Sequence, residues 1–178
     1  VDSVSAFELV NVDDVVISAI SAINGSVYDN TITLDGYPEF VDMDIPPFDD
    51  LTITITFNGS NIQVGEVMVG LSNDIGELLT GVQDATKDYT RQEFDEFGNP
   101  QVVKRPIVNQ TTFPIAVAKD QAFNVKRLLN SLRGTAAIWV GDTGGGFLLT
   151  TYGYVERAPM VYDNQSVVKY QIKVRGSI

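Results

Sequence analysis

From Leu51 to Phe57 the chain alternates without a break, with Leu51, Ile53, Ile55 and Phe57 on one parity and Thr52, Thr54 and Thr56 on the other. A strand, whose successive side chains point to opposite faces, turns this order into one apolar and one polar face. A helix would scatter the same residues around its whole circumference. The pattern returns near the end, where Val168, Tyr170, Ile172 and Val174 alternate with Lys169, Gln171, Lys173 and Arg175. Turn signals punctuate these runs. Asn24-Gly25 separates the apolar Val15–Ile20 from Val27–Leu34, in which Tyr28, Ile32 and Leu34 share a parity. Asp35-Gly36 is a second turn, and Asn58-Gly59 is expected to fold the Leu51 strand back into Ile62–Leu71. Short strands joined by Asn, Asp and Gly turns predict a mainly β, antiparallel β-sandwich or jelly-roll-like fold.

One segment follows a different period. Val125, Leu128, Leu129 and Leu132 recur at helical spacing and Gly134 follows where a C-terminal cap belongs, so a helix is expected near 121–133. Strands are expected on either side of it, at Thr111–Ala118, Ala136–Val140 and Phe147–Val155. The carboxy-terminal half therefore reads as α+β.

Charge divides the chain more sharply than structure does. Residues 1–86 hold 15 acids and neither Lys nor Arg, whereas residues 87–178 hold 8 acids and all 12 cations. The halves carry −15 and +4 within a total of −11. A soft boundary is expected near residue 86, giving an acidic sandwich-like half (1–86) and an α+β half (87–178) that can still form one compact unit. The total argues against a nucleic-acid partner, which requires clustered Lys and Arg. The asymmetry suits subunits that meet acidic half to basic half in a homo-oligomer, where complementary potential sets register. Arg91, Lys104, Arg105, Lys169, Lys173 and Arg175 are the candidate interface cations. The bland alternative for Lys169, Lys173 and Arg175 is protection of an edge strand.

The chain has no Cys and no His, which removes disulfides, thiol nucleophiles, the serine triad with its imidazole base, and the common zinc sites. No catalytic residue, metal site or cofactor is expected. Acids cluster at Asp13-Asp14, at Asp42, Asp44, Asp49 and Asp50, and at Glu93, Asp95 and Glu96, but none matches a calcium loop. Among 23 acids some pair always falls at glycosidase spacing, so that signal has no specificity. Gly141-Asp142-Thr143-Gly144-Gly145-Gly146 lacks the Gly-Lys-Ser/Thr ending of a phosphate loop and precedes a strand, so it reads as a hairpin loop. Trp139, Tyr152 and Tyr154 are the candidate ligand platforms, with core packing as the alternative for each. The longest apolar stretch, Val15–Ile23, is interrupted by Ser18 and Ser21 and is too short to span a bilayer. No segment reads as a secretory leader.

From residue 64 onward a series of blocks stands in a recognisable order. Asp88-Tyr89-Thr90-Arg91 leads to Asp95-Glu96-Phe97-Gly98-Asn99. Leu132-Arg133-Gly134-Thr135, Ile138-Trp139-Val140-Gly141, Tyr152-Gly153-Tyr154 and a closing strand ending at Gly176 follow. This order resembles a family of tailed-phage proteins encoded among tail, baseplate and fibre genes and found also in prophages. The resemblance implies a virion component without established enzyme activity, made in the host bacterial cytoplasm and contacting other phage tail proteins. It also implies a variable amino-terminal region, in some members similar to carbohydrate-binding sandwiches, so a cell-surface glycan is the alternative partner.

Overall fold

The structure, a computed structural model, describes residues 1–142, 149–162 and 166–176, and it is mainly β with antiparallel sheets and one helix among them. The chain divides into two compact units, Val1–Asp74 and Ile75–Ile178. The charge switch at residue 86 falls inside the second unit, twelve residues beyond this division. Recounted by unit, the first carries 13 acids with no cation and the second 10 acids with 12 cations.

The first unit contains β1 (Ser3–Phe7), β2 (Val10–Ser21), β3 (Gly25–Thr33), β4 (Phe40–Asp42), β5 (Leu51–Gln63) and β6 (Glu66–Gly70). They form two three-stranded sheets, ordered β3-β2-β5 and β4-β1-β6. Val15, Ile17 and Ala19 of β2 are fully buried with Val4 and Ala6 of β1, and Leu51, Ile53, Ile55 and Phe57 pack against them. Phe40 and Phe57 meet with ring centroids 6.4 Å apart. The expected hairpin at Asn24-Gly25 forms, with Ser21 paired to Gly25. Asp35 and Gly36, at φ 48° and 85°, close a second turn in which the Tyr37 amide donates to the Leu34 carbonyl at 2.8 Å.

Asn58-Gly59 is not a turn. β5 runs straight through it to Gln63, beside a β2 whose register slips between Val10 and Asp14. Gly59 is needed there because the strands approach too closely for a side chain: a Cβ would overlap the Asn11 carbonyl oxygen. At Val64-Gly65 the chain does not reverse either but passes into β6 of the other sheet, which pairs β1 in the register that β5 holds on β2, Phe7 with Glu66 following Val10 with Gln63.

The second unit contains β7 (Glu77–Leu78), β8 (Gln83–Asp88), β9 (Arg91–Phe94), β10 (Pro100–Val103), β11 (Ile107–Ala118), α1 (Ala122–Ser131), β12 (Ala137–Asp142), β13 (Leu149–Arg157), β14 (Met160–Tyr162) and β15 (Val167–Gly176). Its main sheet is ordered β12-β13-β15-β11-β7, with β14 also on β15 and β8 also on β11. One face of the sheet holds α1. Val125 and Leu129 are buried against Phe113, Ile115, Val117, Val168, Tyr170, Ile172 and Val174. The Tyr170 hydroxyl donates to the Ala122 carbonyl at 2.7 Å, tying helix to sheet. Leu132 joins this core, whereas Leu128 is only half-buried.

The closing strand points its four apolar residues inward as expected, but it is not an edge. β15 lies between β11 on one side and β13 and β14 on the other. Lys169, Lys173 and Arg175 therefore guard no free edge, and their presence on the outer face needs another account. β12 and β13 pair as the hairpin expected around the glycine run, whose residues Gly144, Gly145 and Gly146 lie outside the described part of the chain.

Candidate functional site

Alternation on β13 and β15 separates two sets of side chains. Thr151, Gly153, Val168, Tyr170, Ile172 and Val174 are buried on the helix side. Tyr152, Tyr154 and Glu156 of β13 and Lys169, Gln171, Lys173 and Arg175 of β15 take the opposite parity and the outer face. Register then makes one row across three strands, because Arg175 pairs with Tyr154 on β13 and with Gln110 on β11. A bulge between Val155 and Arg157 brings Arg157 opposite Lys173. Glu156 accepts a hydrogen bond from Gln110 Nε2 at 2.6 Å and lies 3.5 Å from Lys173 Nζ. On β13 and β15 the outer face thus offers two half-buried tyrosines and four cations beside Glu156, and Glu77 of β7 stands in the row of Lys169 across Ala116.

Trp139 is not part of this face. It is 7% exposed in the helix-side core, and its indole N–H donates to the Gly153 carbonyl at 3.3 Å. Its parity partners explain this, since Trp139 pairs with buried Thr151 while Ile138 pairs with outward Tyr152. Gly153 separates the two tyrosines because β13 and β15 pass so closely that a Cβ would overlap the Arg175 carbonyl oxygen.

Arg91, Lys104 and Arg105 lie elsewhere, at the base of a hairpin formed by β9 and β10 alone. Lys87 stacks over the Tyr89 ring, 5.0 Å from its centroid, on the incoming strand. Asp88 accepts from the Thr90 amide at 2.7 Å, and the Thr90 hydroxyl accepts from the Arg105 amide at 3.4 Å, so one short network ties the two legs together. At the tip, the Asp95 carboxylate accepts from the Phe97 amide at 2.9 Å, the Asn99 amide at 2.8 Å and the Asn99 side chain at 3.0 Å. The Asn99 side chain, followed by these backbone donors, holds the Asp95 carboxyl below its ordinary value, and Thr90 does the same for Asp88.

A two-stranded ribbon has no second layer to bury its side chains. Phe94 is 70% exposed, Phe97 88% and Val102 60%. Periodicity does not single these residues out as contacts, because two phenylalanines in a run of Glu, Asp, Gly and Asn follow neither a strand nor a helix repeat. Their isolation in a polar segment was the available signal. Gln110 and Glu156 were missed as well, since only the register brings them together.

Searches against protein-family profiles, characterised proteins and solved structures return no match for this chain.

Each acid cluster has members engaged in structure. Asp42, 5% exposed, accepts from the Tyr28 hydroxyl at 2.8 and 2.7 Å, the Asn30 side chain at 2.9 Å and the Asp44 amide at 3.1 Å, joining β4 to β3 across the sandwich. Burial, then the Asp42 carboxylate, pushes the Tyr28 hydroxyl up to about 12. Asp50 accepts from the Ser21 hydroxyl at 2.9 Å and the Ile23 amide at 3.1 Å, fastening the first hairpin, and the Ser21 bond keeps its carboxyl low. On the second sheet the Thr111 hydroxyl donates to Asp84 at 3.0 Å and lies 2.7 Å from the Thr151 hydroxyl. Among the described residues no group of three acids is arranged to hold a metal ion, and no helix is long and apolar enough to cross a membrane.

Proposed function

We propose that this chain is a non-enzymatic structural component of a phage tail or baseplate, assembling in several copies through protein–protein contacts. The observation that carries the assembly reading is the β9–β10 hairpin, a ribbon with no core of its own that holds Phe94 and Phe97 in solvent. Exposed aromatics on a projecting element are what a protein partner covers, and aromatic residues supply much of the energy at such contacts. Charge supports the same reading. The first unit holds 13 acids and no cation, so it repels its like and attracts the cations of the second unit on another copy. The order of sequence blocks from residue 64 supports a tail or baseplate setting, with other tail proteins as neighbours and the virion as the location.

The test is incorporation. Purified particles are expected to contain this chain, and particles made without it are expected to lack functional tails. Replacing Lys169 and Lys173 together by Glu is expected to reduce incorporation. Particles that assemble fully without the chain would refute the structural role, and full incorporation of the double variant would refute the part assigned to these two lysines.

A second reading has its own support. Tyr152 and Tyr154 stand on the outer face beside Arg175, Gln110 and Glu156, a mixture of aromatic and polar groups that suits a cell-surface glycan. Glycan-array binding lost on Tyr154→Ala with folding intact would favour this carbohydrate-binding role. Trp139 takes no part in it, being buried.

A further inference from the structure

We propose that the tip of the β9–β10 hairpin of one copy docks on the Tyr154–Arg175 face of a second copy of this chain. This inference rests on the multi-copy reading above and adds which surfaces meet. From Gln92 to Pro100 the hairpin carries Glu93, Asp95 and Glu96, two phenylalanines and no cation. The outer face of β13 and β15 carries Arg157, Lys169, Lys173 and Arg175 against Glu156, with Tyr152 and Tyr154 beside them. The two surfaces are complementary in charge and in kind. A guanidinium over a phenylalanine ring is attracted by the ring's π-face, and the Tyr154 ring adds apolar area next to Arg175. Glu93 and Glu96 supply carboxylates for the remaining cations, whereas Asp95 is committed to its own turn.

The occupant of the face follows from what the tip would meet elsewhere. The first unit, with 13 acids and no cation, repels an acidic tip, so docking there is disfavoured. Phe94 and Phe97, 70% and 88% exposed, show that the tip is not folded back on its own unit's face. A second copy supplies the cationic, tyrosine-bearing face without any further protein. The contact is heterologous, tip to face, so it closes into a ring or continues as a helical stack.

The test is sedimentation of the full chain at low and high salt in four forms: wild type, a tip variant (Glu93→Arg with Glu96→Arg), a face variant (Arg157→Glu with Arg175→Glu), and an equal mixture of the two variants. Wild type is expected to self-associate at low salt and to dissociate as salt screens the contact. Each variant alone is expected to associate at least about tenfold more weakly, and the mixture to recover, because each reversed surface then finds an opposite partner. Phe97→Ser, at a position 88% exposed, is expected to weaken association with unchanged circular dichroism and Trp139 emission, which separates docking from folding. Oligomers that persist in both reversal variants would overturn this contact while leaving the multi-copy reading in place. A wild-type chain that stays monomeric, including one whose face binds a glycan instead, would overturn the contact and self-assembly together.

Discussion

Asp42 is the most informative residue to remove from the first unit. It is 5% exposed and receives hydrogen bonds from three groups on two segments: the Tyr28 hydroxyl, the Asn30 amide and the Asp44 backbone. Bonds to a charged acceptor contribute roughly 1.5–3 kcal/mol each, and a buried donor left without a partner costs about 1–3 kcal/mol. The three are not additive, because Tyr28 and Asn30 are half-buried and water can reach part of what Asp42 vacates. Asp42→Ala is therefore expected to cost about 3–4 kcal/mol, and Asp42→Asn, which keeps one acceptor, about 2 kcal/mol. Tyr28→Phe removes a single donor and should cost about 1–2 kcal/mol, with a coupling to Asp42→Ala of similar size in a double-mutant cycle. Urea denaturation can resolve the effect by unit, since Trp139, the only tryptophan, reports on the second core while circular dichroism reports on both. Asp42→Ala should move the circular-dichroism transition of the first unit to lower urea. A loss below about 0.5 kcal/mol, the size of an ordinary surface change, would refute the idea that this network fastens the two sheets.

Other consequences follow from single features. Tyr28 should ionise above the ordinary tyrosine value. Its folded value, about 12, lies above the ordinary 10, so the stability it contributes is complete below pH 10 and is lost as pH rises toward 12. Spectrophotometric titration of wild type against Tyr28→Phe checks this. Gly153→Ala should destabilise the second unit by about 1–3 kcal/mol or more, because its Cβ meets the Arg175 carbonyl and the strands must separate; a red shift of Trp139 emission should accompany the loss. Asp95→Ala should speed proteolytic cutting between Glu93 and Pro100 with little change in the global transition, since its bonds all close within the hairpin tip. Its carboxyl is held low, so the turn's stabilisation is present above the ordinary carboxylate value and is lost as pH falls from there through the lowered one.

Much of the fold was legible before any coordinates. Period-2 alternation at Leu51–Phe57 and Val168–Val174 yields strands with the expected faces, and the Val125–Leu132 stripe yields the helix, because each pattern depends only on where consecutive side chains point. Asn24-Gly25 and Asp35-Gly36 form turns for the same local reason. Asn58-Gly59 does not, because the close passage of β2 at Asn11, far away in sequence, uses the same small residue for a different purpose. Alternation also could not assign rank within a sheet. The outward cations of β15 look the same on an edge strand as on a central one, and only the pairing with β11, β13 and β14 decides between them.

The candidate site divides along the same line. Sequence by itself determined which residues have charge or an aromatic ring, that imidazole and thiol chemistry is absent, and that acids and cations are segregated along the chain. Tertiary structure alone decided that Trp139 is core, that Tyr154, Arg175 and Gln110 form one row, and that Phe94 and Phe97 stand in solvent. The reason is physical: composition and periodicity are properties of neighbours along the chain, whereas a surface is made by strands brought side by side from distant positions, and register selects which side chains meet.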